Sequence, residues 1–324
     1  KIFADVEKKG KKSRYYNWFF IDGDKPDQTK GNYQQFAACT YMPKLNTNTP
    51  AVQDYLISVG KYWVEKYGID GWRLDVADEV SDVFWRRFRR ELKQINPDIL
   101  LLAENWQDAY PWLRGDEYDG IMNYSITKAC LDYLVYDVFD AQAMADRLSH
   151  ILMRNTDQAN NMMLNLLDSH DTERFLTLAK KNGKDERSLL CSLAIMFFLP
   201  GMPCIYYGTE IAMEGAHDPD CRRCMQCIEI NSEENQEKIA TMRKLIMLRR
   251  NEKICRSPHF HFPDTYENDR CVEYIKIDEE GNKMEVLLNT SEKEIKVKEA
   301  GEVLFAREFD GEILGVNGTL IRRI

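Results

Sequence analysis

The sequence predicts an α/β fold with parallel strands, followed by a smaller antiparallel β domain. Up to about residue 252, short apolar segments that end in polar residues alternate with longer segments of helical spacing, which is typical of βα units. From about residue 253, alternating segments separated by Glu-Gly-Asn and Asp-Gly turns replace the helical pattern. The length of 324 residues allows one large domain or two.

Composition narrows the class of protein. Hydrophobic residues make up 44% and charged residues 30% of the chain, a balance that excludes a disordered or fibrous protein. No apolar run reaches the length of a membrane-spanning helix. The net charge of -9 disfavours nucleic acid and anionic lipid as partners. The first residues are predicted as loop, with the basic run at 8–14 exposed to solvent.

The βα elements can be placed in order. Apolar residues from Val52 to Trp63 recur at helical spacing, and Gly68 is a suitable C-terminal cap. A strand at 71–76, a helix through Phe84, Phe88, Leu92 and Ile95, and a buried strand at 99–103 follow. Further strands are predicted at 121–124, 162–167, 204–207, 271–277, 283–289 and 294–298, and further helices at 141–155 and 233–250.

The first candidate site lies at the end of the strand at 71–76. The two-residue period of a strand places Arg73 and Asp75 on one face, where the guanidinium would keep the carboxylate ionised. A charged carboxylate at a strand end suits a nucleophile. The alternative is a purely structural ion pair between loops.

Glu104 follows the next strand along the chain. In a parallel sheet it would project from the same end as Asp75, and Trp106 lies close to it in sequence. A carboxyl group beside apolar and aromatic groups suits a general acid, and two such carboxyl groups favour glycoside hydrolysis. The alternative is a carboxylate that stabilises a helix N-terminus.

A third strand end carries Asp168, His170 and Asp171. A carboxylate and an imidazole can each hydrogen-bond the vicinal hydroxyls of a sugar, which favours a sugar-binding role for His170 and Asp171. Trp106, Tyr110 and Trp112 could provide stacking surfaces, and packing in the core is the alternative for all three.

Four segments in this order give the chain a resemblance to the α-amylase family, glycoside hydrolase family 13. They read Met-Pro-Lys-Leu-Asn at 42–46, Gly-Trp-Arg-Leu-Asp at 71–75, Leu-Ala-Glu-Asn-Trp at 102–106 and Leu-Asp-Ser-His-Asp at 167–171. The first segment, together with 203–207 and 218–221, is similar to the subgroup of neopullulanases, cyclomaltodextrinases and maltogenic amylases. The resemblance implies a (β/α)8 TIM barrel with a C-terminal antiparallel β-sandwich domain.

The same resemblance implies the roles of the site residues. Asp75 corresponds to the nucleophile, Glu104 to the general acid and base, and Asp171 to the carboxylate that stabilises the transition state. Arg73, His170, Trp106, Lys44 and Asn46 are implied as substrate-binding residues. The expected reaction is retaining hydrolysis of α-1,4 and, in some substrates, α-1,6 glucosidic bonds of maltooligosaccharides, cyclodextrins or pullulan, with transglycosylation as a side activity.

The chain also departs from the family pattern. The family's first conserved segment, which should precede the text that resembles residues 1–21, is not found, so we expect a partial barrel of strands four to eight. The expected organisation is a remnant of an inserted loop domain at 1–50, a partial catalytic barrel at 51–252 and the β-sandwich domain at 253–324. We therefore expect an active parent glycosidase, in some relatives a homodimer, and a 324-residue chain whose sugar pocket lacks one wall. Asp78, Ala103 and Asn105 also differ from the residues usual in the subgroup.

The cysteines raise a separate question. Cys221, Cys224 and Cys227 have a spacing that lets thiolates converge on a metal, but no fourth cysteine follows at the expected spacing, and a reduced loop is favoured. No metal or other cofactor is predicted, although the family is compatible with calcium. Cys39, Cys130, Cys191 and Cys204 lie among apolar residues, as buried thiols do, which favours a reducing, cytoplasmic location.

Two rival functions remain at this point. A glucan transferase of the same fold would differ in its products when acceptor is in excess. A non-catalytic binding protein on an amylase fold is the other, and the presence of Asp75, Glu104 and Asp171 argues against it.

Overall fold

The computed structural model describes residues 1–263, 268–298 and 301–324. These residues form two compact units, one of residues 1–104 and 111–119 and the other of residues 105–110 and 120–324. The predicted domain boundaries near residues 50 and 252 stay a prediction. Residues 264–267 and 299–300 of the predicted third domain lie outside the described residues.

The first unit begins with a helix where the sequence predicted loop. Its helices and strands are α1 (Ile2–Lys9), α2 (Pro50–Tyr67), β1 (Gly71–Leu74), α3 (Asp82–Lys93) and β2 (Leu100–Ala103). The prediction for the first residues was wrong because α1 is anchored by tertiary packing: Val6 is buried and the ring of Phe3 lies 4.9 Å from that of Phe19. Lys8 and Lys9 form the last turn of α1, where cations are favoured.

Helix α2 contains the predicted apolar residues and ends where the sequence predicted. Pro50 occupies its first position, where a missing N–H has no consequence. Gly68 ends it in the left-handed conformation with φ 60°, which confirms the predicted cap. A Cβ at Gly60 would lie 2.6 Å from the ring of Phe88, so a glycine is what lets α2 approach α3 this closely.

Strands β1 and β2 pair in parallel, with Leu74 opposite Ala103. Helix α3 between them buries Phe84, Phe88 and Leu92 of the predicted apolar face. The prediction was wrong for Ile95, which lies beyond the end of α3 at Lys93 and is exposed. Each strand is shorter than predicted, because β1 ends at Leu74 and β2 begins at Leu100.

The second unit continues the βα pattern with elements β3 (Gly120–Ile121), α4 (Tyr124–Leu134), α5 (Ala141–Met153), α6 (Asp157–Asn161), β4 (Leu164–Leu166), α7 (Phe175–Lys181), α8 (Glu186–Phe198), β5 (Met202–Cys204) and α9 (Glu233–Asn251). Strands β4 and β5 pair in parallel, and Met122 forms a parallel bridge to Leu164. The strand predicted at 121–124 is cut short because α4 begins at Tyr124. The strand predicted at 204–207 lies two residues earlier and ends at Cys204.

The C-terminal part of this unit is an antiparallel sheet made of β6 (Phe260–His261), β7 (Cys271–Ile277), β8 (Lys283–Asn289), β9 (Ile295–Lys296), β10 (Glu302–Phe309) and β11 (Ile313–Arg323). The strand order is β10-β11-β8-β7-β6, and β9 pairs with β11. The predicted strands at 271–277 and 283–289 are confirmed at both ends. One face of the sheet, with Tyr274, Val286 and Ile321, joins the core that α4 and α8 also line.

This sheet buries several ionisable side chains. Glu285 and Arg322 face each other across β8 and β11 and form a bidentate ion pair, with one Nη2–Oε1 distance of 3.0 Å. Lys276 is fully buried and its Nζ donates to the carbonyl of Phe198, at the end of α8, over 2.7 Å. Burial, with a smaller contribution from the nearby Arg249 cation, lowers the pKa of Lys276 to about 7.

No helix in the described part of the chain combines the length and the apolar character needed to cross a lipid bilayer.

Candidate active site

The two carboxylates predicted from the first unit lie side by side. Asp75 follows β1 and Glu104 follows β2, directly after the paired residues Leu74 and Ala103. The amide of Glu104 donates to the carbonyl of Leu74 over 2.8 Å, which continues the parallel pairing to this point. Because neighbouring strands are about 5 Å apart, the two side chains leave the backbone at about that separation.

Arg73 connects these two carboxylates. Its Nη1 pairs with Oδ1 of Asp75, and its Nη2 lies 3.1 Å from Oε2 of Glu104. The Glu104 side chain is only 7% exposed, whereas that of Asp75 is 73% exposed. One guanidinium therefore fixes a buried and an exposed carboxylate in a single arrangement.

Val76 shapes the turn that follows Asp75. It adopts the left-handed conformation with φ 46°, which is uncommon for a β-branched residue and is found where surrounding structure imposes it. In this conformation its N–H donates to Oε2 of Glu104 over 3.1 Å, and the N–H of Ala77 donates to the carbonyl of Glu104 over 3.2 Å. Sequence reasoning missed Val76, because neither its residue type nor its spacing indicates a left-handed turn.

Lys44 and Asn46 lie on a loop that contacts the segment after Asp75. The Nζ of Lys44 is 3.0 Å from Oε2 of Glu79. The Oδ1 of Asn46 accepts the N–H of Asn48 over 3.1 Å, so this side chain stabilises the turn of its own loop. Ser81 also stabilises this loop, because its Oγ donates to Oδ1 of Asn48 over 2.6 Å.

The second unit holds the other predicted pair. The Nε2 of His170 lies 3.0 Å from Oδ2 of Asp171, and Nη2 of Arg222 lies 3.2 Å from Oδ1 of the same carboxylate. Arg222 also donates from Nε to the carbonyl of His170 over 2.8 Å and pairs with Asp218 at 2.8 Å. Arg222 is a charged neighbour of Asp171 that sequence reasoning missed, since the two residues lie 51 positions apart.

Trp106 also belongs to the second unit. Its ring stacks on Tyr124 with centroids 3.8 Å apart and an angle of 6° between the planes, while the residue keeps 48% of its surface exposed. The hydroxyl of Tyr124 donates to Oγ of Ser169 over 3.4 Å, one residue before His170. Trp106 is therefore a flat, supported and accessible aromatic surface.

Asp168 and Arg174 have structural roles beside this strand end. The buried Asp168 accepts the N–H of Phe175 at 2.5 Å and the hydroxyl of Thr209 at 2.6 Å, and burial raises the pKa of its carboxyl group. The fully buried Arg174 donates to the carbonyls of Tyr207 and Cys221 over 2.9 and 3.2 Å. Both residues hold the loops that carry Asp171 and Arg222.

The other aromatic and cysteine residues considered in the sequence differ in their exposure to solvent. Tyr110 is largely exposed, whereas Trp112 packs against Tyr118. Cys221 is buried against the carbonyl of His170, and Cys224 and Cys227 are exposed. Cys130 and Cys191 are buried as predicted, but Cys39 and Cys204 are only half-buried. Across residues 1–263, 268–298 and 301–324, no group of three or more His, Cys, Asp or Glu side chains is arranged to hold a metal ion.

Comparison with known proteins gives the same family as the motifs. The profile described as "Alpha amylase, catalytic domain" matches residues 3–300. The chain is 46% identical over 250 residues to an intracellular maltogenic amylase of Bacillus subtilis, covering 77% of this chain and 41% of that protein. It is 42% identical over 316 residues to a cyclomaltodextrinase of Thermoanaerobacter pseudethanolicus, covering 96% of this chain and 52% of that protein.

A solved structure is similar over the full length of this chain. The cyclic alpha-maltosyl-(1-->6)-maltose hydrolase from Arthrobacter globiformis superposes with a TM-score of 0.87 at 30% identity, covering 100% of this chain and 71% of that one. The chain spans about half the length of the curated relatives that it matches.

Proposed function

The chain belongs to the α-amylase family, whose catalytic fold is a (β/α)8 barrel with a C-terminal β-sheet domain, and on that premise we propose that it is a retaining glycoside hydrolase of α-glucans. The relatives are named maltogenic amylase, cyclomaltodextrinase and neopullulanase. The proposed substrates are therefore maltooligosaccharides, cyclodextrins and pullulan, cleaved at α-1,4 and in some cases α-1,6 bonds.

The observation that carries this proposal is the Arg73 guanidinium shared by Asp75 and Glu104 at the ends of two parallel strands. A retaining mechanism needs two carboxyl groups about 5 to 5.5 Å apart. Adjacent strands place the two backbones at about 5 Å. The exposure of Asp75 and the burial of Glu104 also match a nucleophile that meets substrate and an acid shielded from water.

The reaction then follows in two steps. In the first, a carboxylate oxygen of Asp75 attacks the anomeric carbon while Glu104 gives its proton to the departing glycosidic oxygen, which leaves a glycosyl ester on Asp75. In the second, Glu104 removes a proton from water, and this water breaks the ester with overall retention of configuration. A sugar hydroxyl that replaces this water gives transglycosylation.

The other residues are assigned supporting roles. Arg73 and the N–H of Val76 are proposed to orient Glu104, which both of them contact. Asp171 is proposed to stabilise the positive charge of the transition state, with His170 and Arg222 orienting it. Lys44, Asn46 and the supported ring of Trp106 are proposed to bind the sugar chain.

The finer features of the fold stay part of the proposal. We infer that β1 to β5 correspond to barrel strands four to eight, because the segments that resemble the family's motifs follow them in the family's order. The C-terminal sheet is proposed to belong to a β-sandwich domain. A cytoplasmic location is supported by a relative named "intracellular", and a homodimeric parent protein is proposed on the resemblance alone.

The proposal is tested with two substrates and three variants. Glu104→Gln should lower kcat on maltotriose by ~10² to 10⁴-fold, the usual contribution of a general acid. On an aryl maltoside whose leaving group needs no proton, the first step should be largely retained in Glu104→Gln and lost in Asp75→Asn. Glu65→Gln, an exposed carboxylate of α2, is the control and should match the unmodified chain.

The measurement is release of glucose and maltose, with a stopped-flow burst for the aryl substrate. Equal loss on both substrates in Glu104→Gln would exclude Glu104 as the acid. If the unmodified chain releases no product from β-cyclodextrin, pullulan, maltotriose or the aryl substrate, hydrolysis by this chain is refuted.

A further inference from the structure

Cys221, Cys224 and Cys227 form a motif to which the proposed function gives no role. The structure divides them, because Cys221 is buried and the other two are exposed. All nine cysteines of the chain lie within the described residues, and only Cys224 and Cys227 are exposed. We call these two residues the exposed pair. Their thiols are accessible to small molecules in solution.

Burial protects most of the other thiols. It raises the pKa of Cys130 and Cys271 to about 12 and the pKa of Cys191 to about 11. Burial also raises the pKa of the half-buried Cys204. Since the thiolate is the form that reacts with disulfides, these four cysteines stay protonated and unreactive near neutral pH. Oxidation is therefore directed to the exposed pair.

The chain between Cys224 and Cys227 is bent. The N–H of Cys227 donates to the carbonyl of Met225 over 2.9 Å, which closes a three-residue turn. A fully extended segment would place the two cysteine Cα atoms about 10 Å apart, whereas a disulfide needs a separation of about 4.4 to 6.8 Å. The turn shortens this span, and the irregular conformation of residues 223–226 lets the chain bend further.

We propose that the exposed pair is a site of reversible oxidation, at which a low-molecular-weight disulfide such as oxidised glutathione converts Cys224 and Cys227 to an intramolecular disulfide. The thiolate of one cysteine attacks a sulfur of oxidised glutathione, which forms a mixed disulfide and releases one glutathione thiolate. The other cysteine attacks the protein sulfur of this mixed disulfide, which forms the Cys224–Cys227 bond and releases the second glutathione. The protein loses two electrons and two protons, and the glutathione disulfide accepts both. In a reducing compartment such a bond is transient and forms under oxidising conditions.

The exposed pair follows directly after contacts that hold the candidate active site. The carbonyl of His170 accepts Nε of Arg222 over 2.8 Å and Sγ of Cys221 over 3.2 Å. The Nη2 of Arg222 also lies 3.2 Å from Oδ1 of Asp171. Arg222 lies two residues before the exposed pair, so closing the disulfide pulls on the backbone that carries this arginine.

The peptide that joins Arg223 to Cys224 transmits this pull. Its carbonyl accepts the hydroxyl of Tyr207 over 2.7 Å. Because the disulfide draws Cys224 towards Cys227, it reorients this peptide and competes with the contact to Tyr207. Oxidation therefore loosens the preceding residues and weakens the hold of Arg222 on the active-site loop. The oxidation itself is independent of the proposed function, whereas its effect on turnover rests on that function.

The first test localises the disulfide. The unmodified chain is incubated with oxidised or reduced glutathione, blocked with iodoacetamide and digested with trypsin. Trypsin cleaves after Arg222 and Arg223, so the peptide 224–238 contains the exposed pair and excludes Cys221. After oxidation we expect this peptide to have lost two hydrogen atoms and to take up no iodoacetamide, and a reductant should reverse both changes. Cys224→Ser should instead carry one glutathione, whereas Cys39→Ser, at a half-buried cysteine, should react like the unmodified chain.

The second test measures the effect on the active-site loop. The N–H of Asp171 belongs to the same peptide group as the carbonyl of His170, so its hydrogen exchange should become faster when Arg222 withdraws. Turnover of maltotriose should fall roughly ten-fold or more on oxidation and return with reductant, since small misplacements at an active site are costly. A variant with serine at both positions of the exposed pair should show neither change.

A peptide 224–238 that keeps both thiols in oxidised glutathione would overturn the proposal, as would glutathione retained on both cysteines or a cross-link that includes Cys221. Unchanged hydrogen exchange at Asp171 in the oxidised chain would overturn the effect on the active-site loop. The peptide mass and the hydrogen exchange are read without substrate. Failure of this proposal is therefore distinguishable from failure of the proposed function.

Discussion

Lys276 should make the free energy of unfolding of the second unit increase with pH. Replacing this one lysine should remove the increase. Its ammonium group is fully buried, with the carbonyl of Phe198 as acceptor, and burial lowers its pKa from 10.5 to about 7. Between these two pKa values the unfolded chain binds more protons at this lysine than the folded chain does. Stability therefore rises with pH across this window.

The size of the effect follows from the shift. Each pH unit within the window adds about 1.4 kcal/mol to the free energy of unfolding, so from pH 7.5 to 9.0 Lys276 contributes about 2 kcal/mol. Lys276→Met keeps the volume and removes the titrating group. The variant should therefore lack this increase. A buried thiol such as that of Cys130, whose pKa burial raises to about 12, acts in the opposite direction, but equally in both proteins.

The assay is urea unfolding followed by circular dichroism at pH 7.5 and 9.0. The difference between the two free energies is compared for the unmodified chain, Lys276→Met and Lys283→Met. Lys283 is an exposed lysine of the neighbouring strand β8, and its replacement should leave the pH dependence unchanged. If Lys276→Met shows the same pH dependence as the unmodified chain, the ammonium group is not desolvated and the reasoning is refuted.

Three further outcomes are expected. Glu285→Gln should lower the free energy of unfolding by about 3 to 5 kcal/mol in urea, because it breaks the buried ion pair between Glu285 and Arg322, whereas replacing both residues by Met should restore much of the loss. Burial, and to a smaller extent the charge of the neighbouring carboxylate of Asp82, raises the pKa of Glu117 to about 7. The contribution of Glu117 to the free energy of unfolding is therefore complete below pH 4.5 and is lost as the pH rises through 7. Glu117→Gln should therefore lose less stability than the unmodified chain between pH 5 and 7.5, and an equal loss would contradict the assignment. Trp106→Ala should raise KM for maltotriose roughly ten-fold with little change in kcat if its ring, stacked on Tyr124, is a sugar platform; an unchanged KM would make that stack purely structural.

The sequence predicted best those features that local interactions decide. Gly68 ends α2 because only the residues around it set its left-handed cap. Strands β7 and β8 were placed to the residue, since turn residues, among them the Glu-Gly-Asn between the two strands, bound each seven-residue segment. Strands β3, β4 and β5 were misplaced by up to three residues, because strands of two or three residues carry no period that fixes their ends.

Long-range contacts account for what sequence reasoning missed. Helix α1 depends on rings from Phe19 and Tyr33, more than a dozen residues away. The motif residues Asp75 and Glu104 could be chosen from the sequence, but the sharing of Arg73 between them depends on the pairing of two strands. Arg222 reaches Asp171 from a separate loop, so its role is visible only once the chain has folded.

The left-handed Val76 has a consequence for laboratory evolution of this chain. A β-branched residue at φ 46° is held in an unfavourable conformation, so libraries screened for thermal tolerance should enrich glycine or asparagine at this position. The same exchange frees the amide that contacts Glu104 to sample other directions. Selection for heat resistance should therefore favour glycine or asparagine at position 76, whereas selection for turnover should favour valine. A library intended to improve both properties should keep Val76 unchanged.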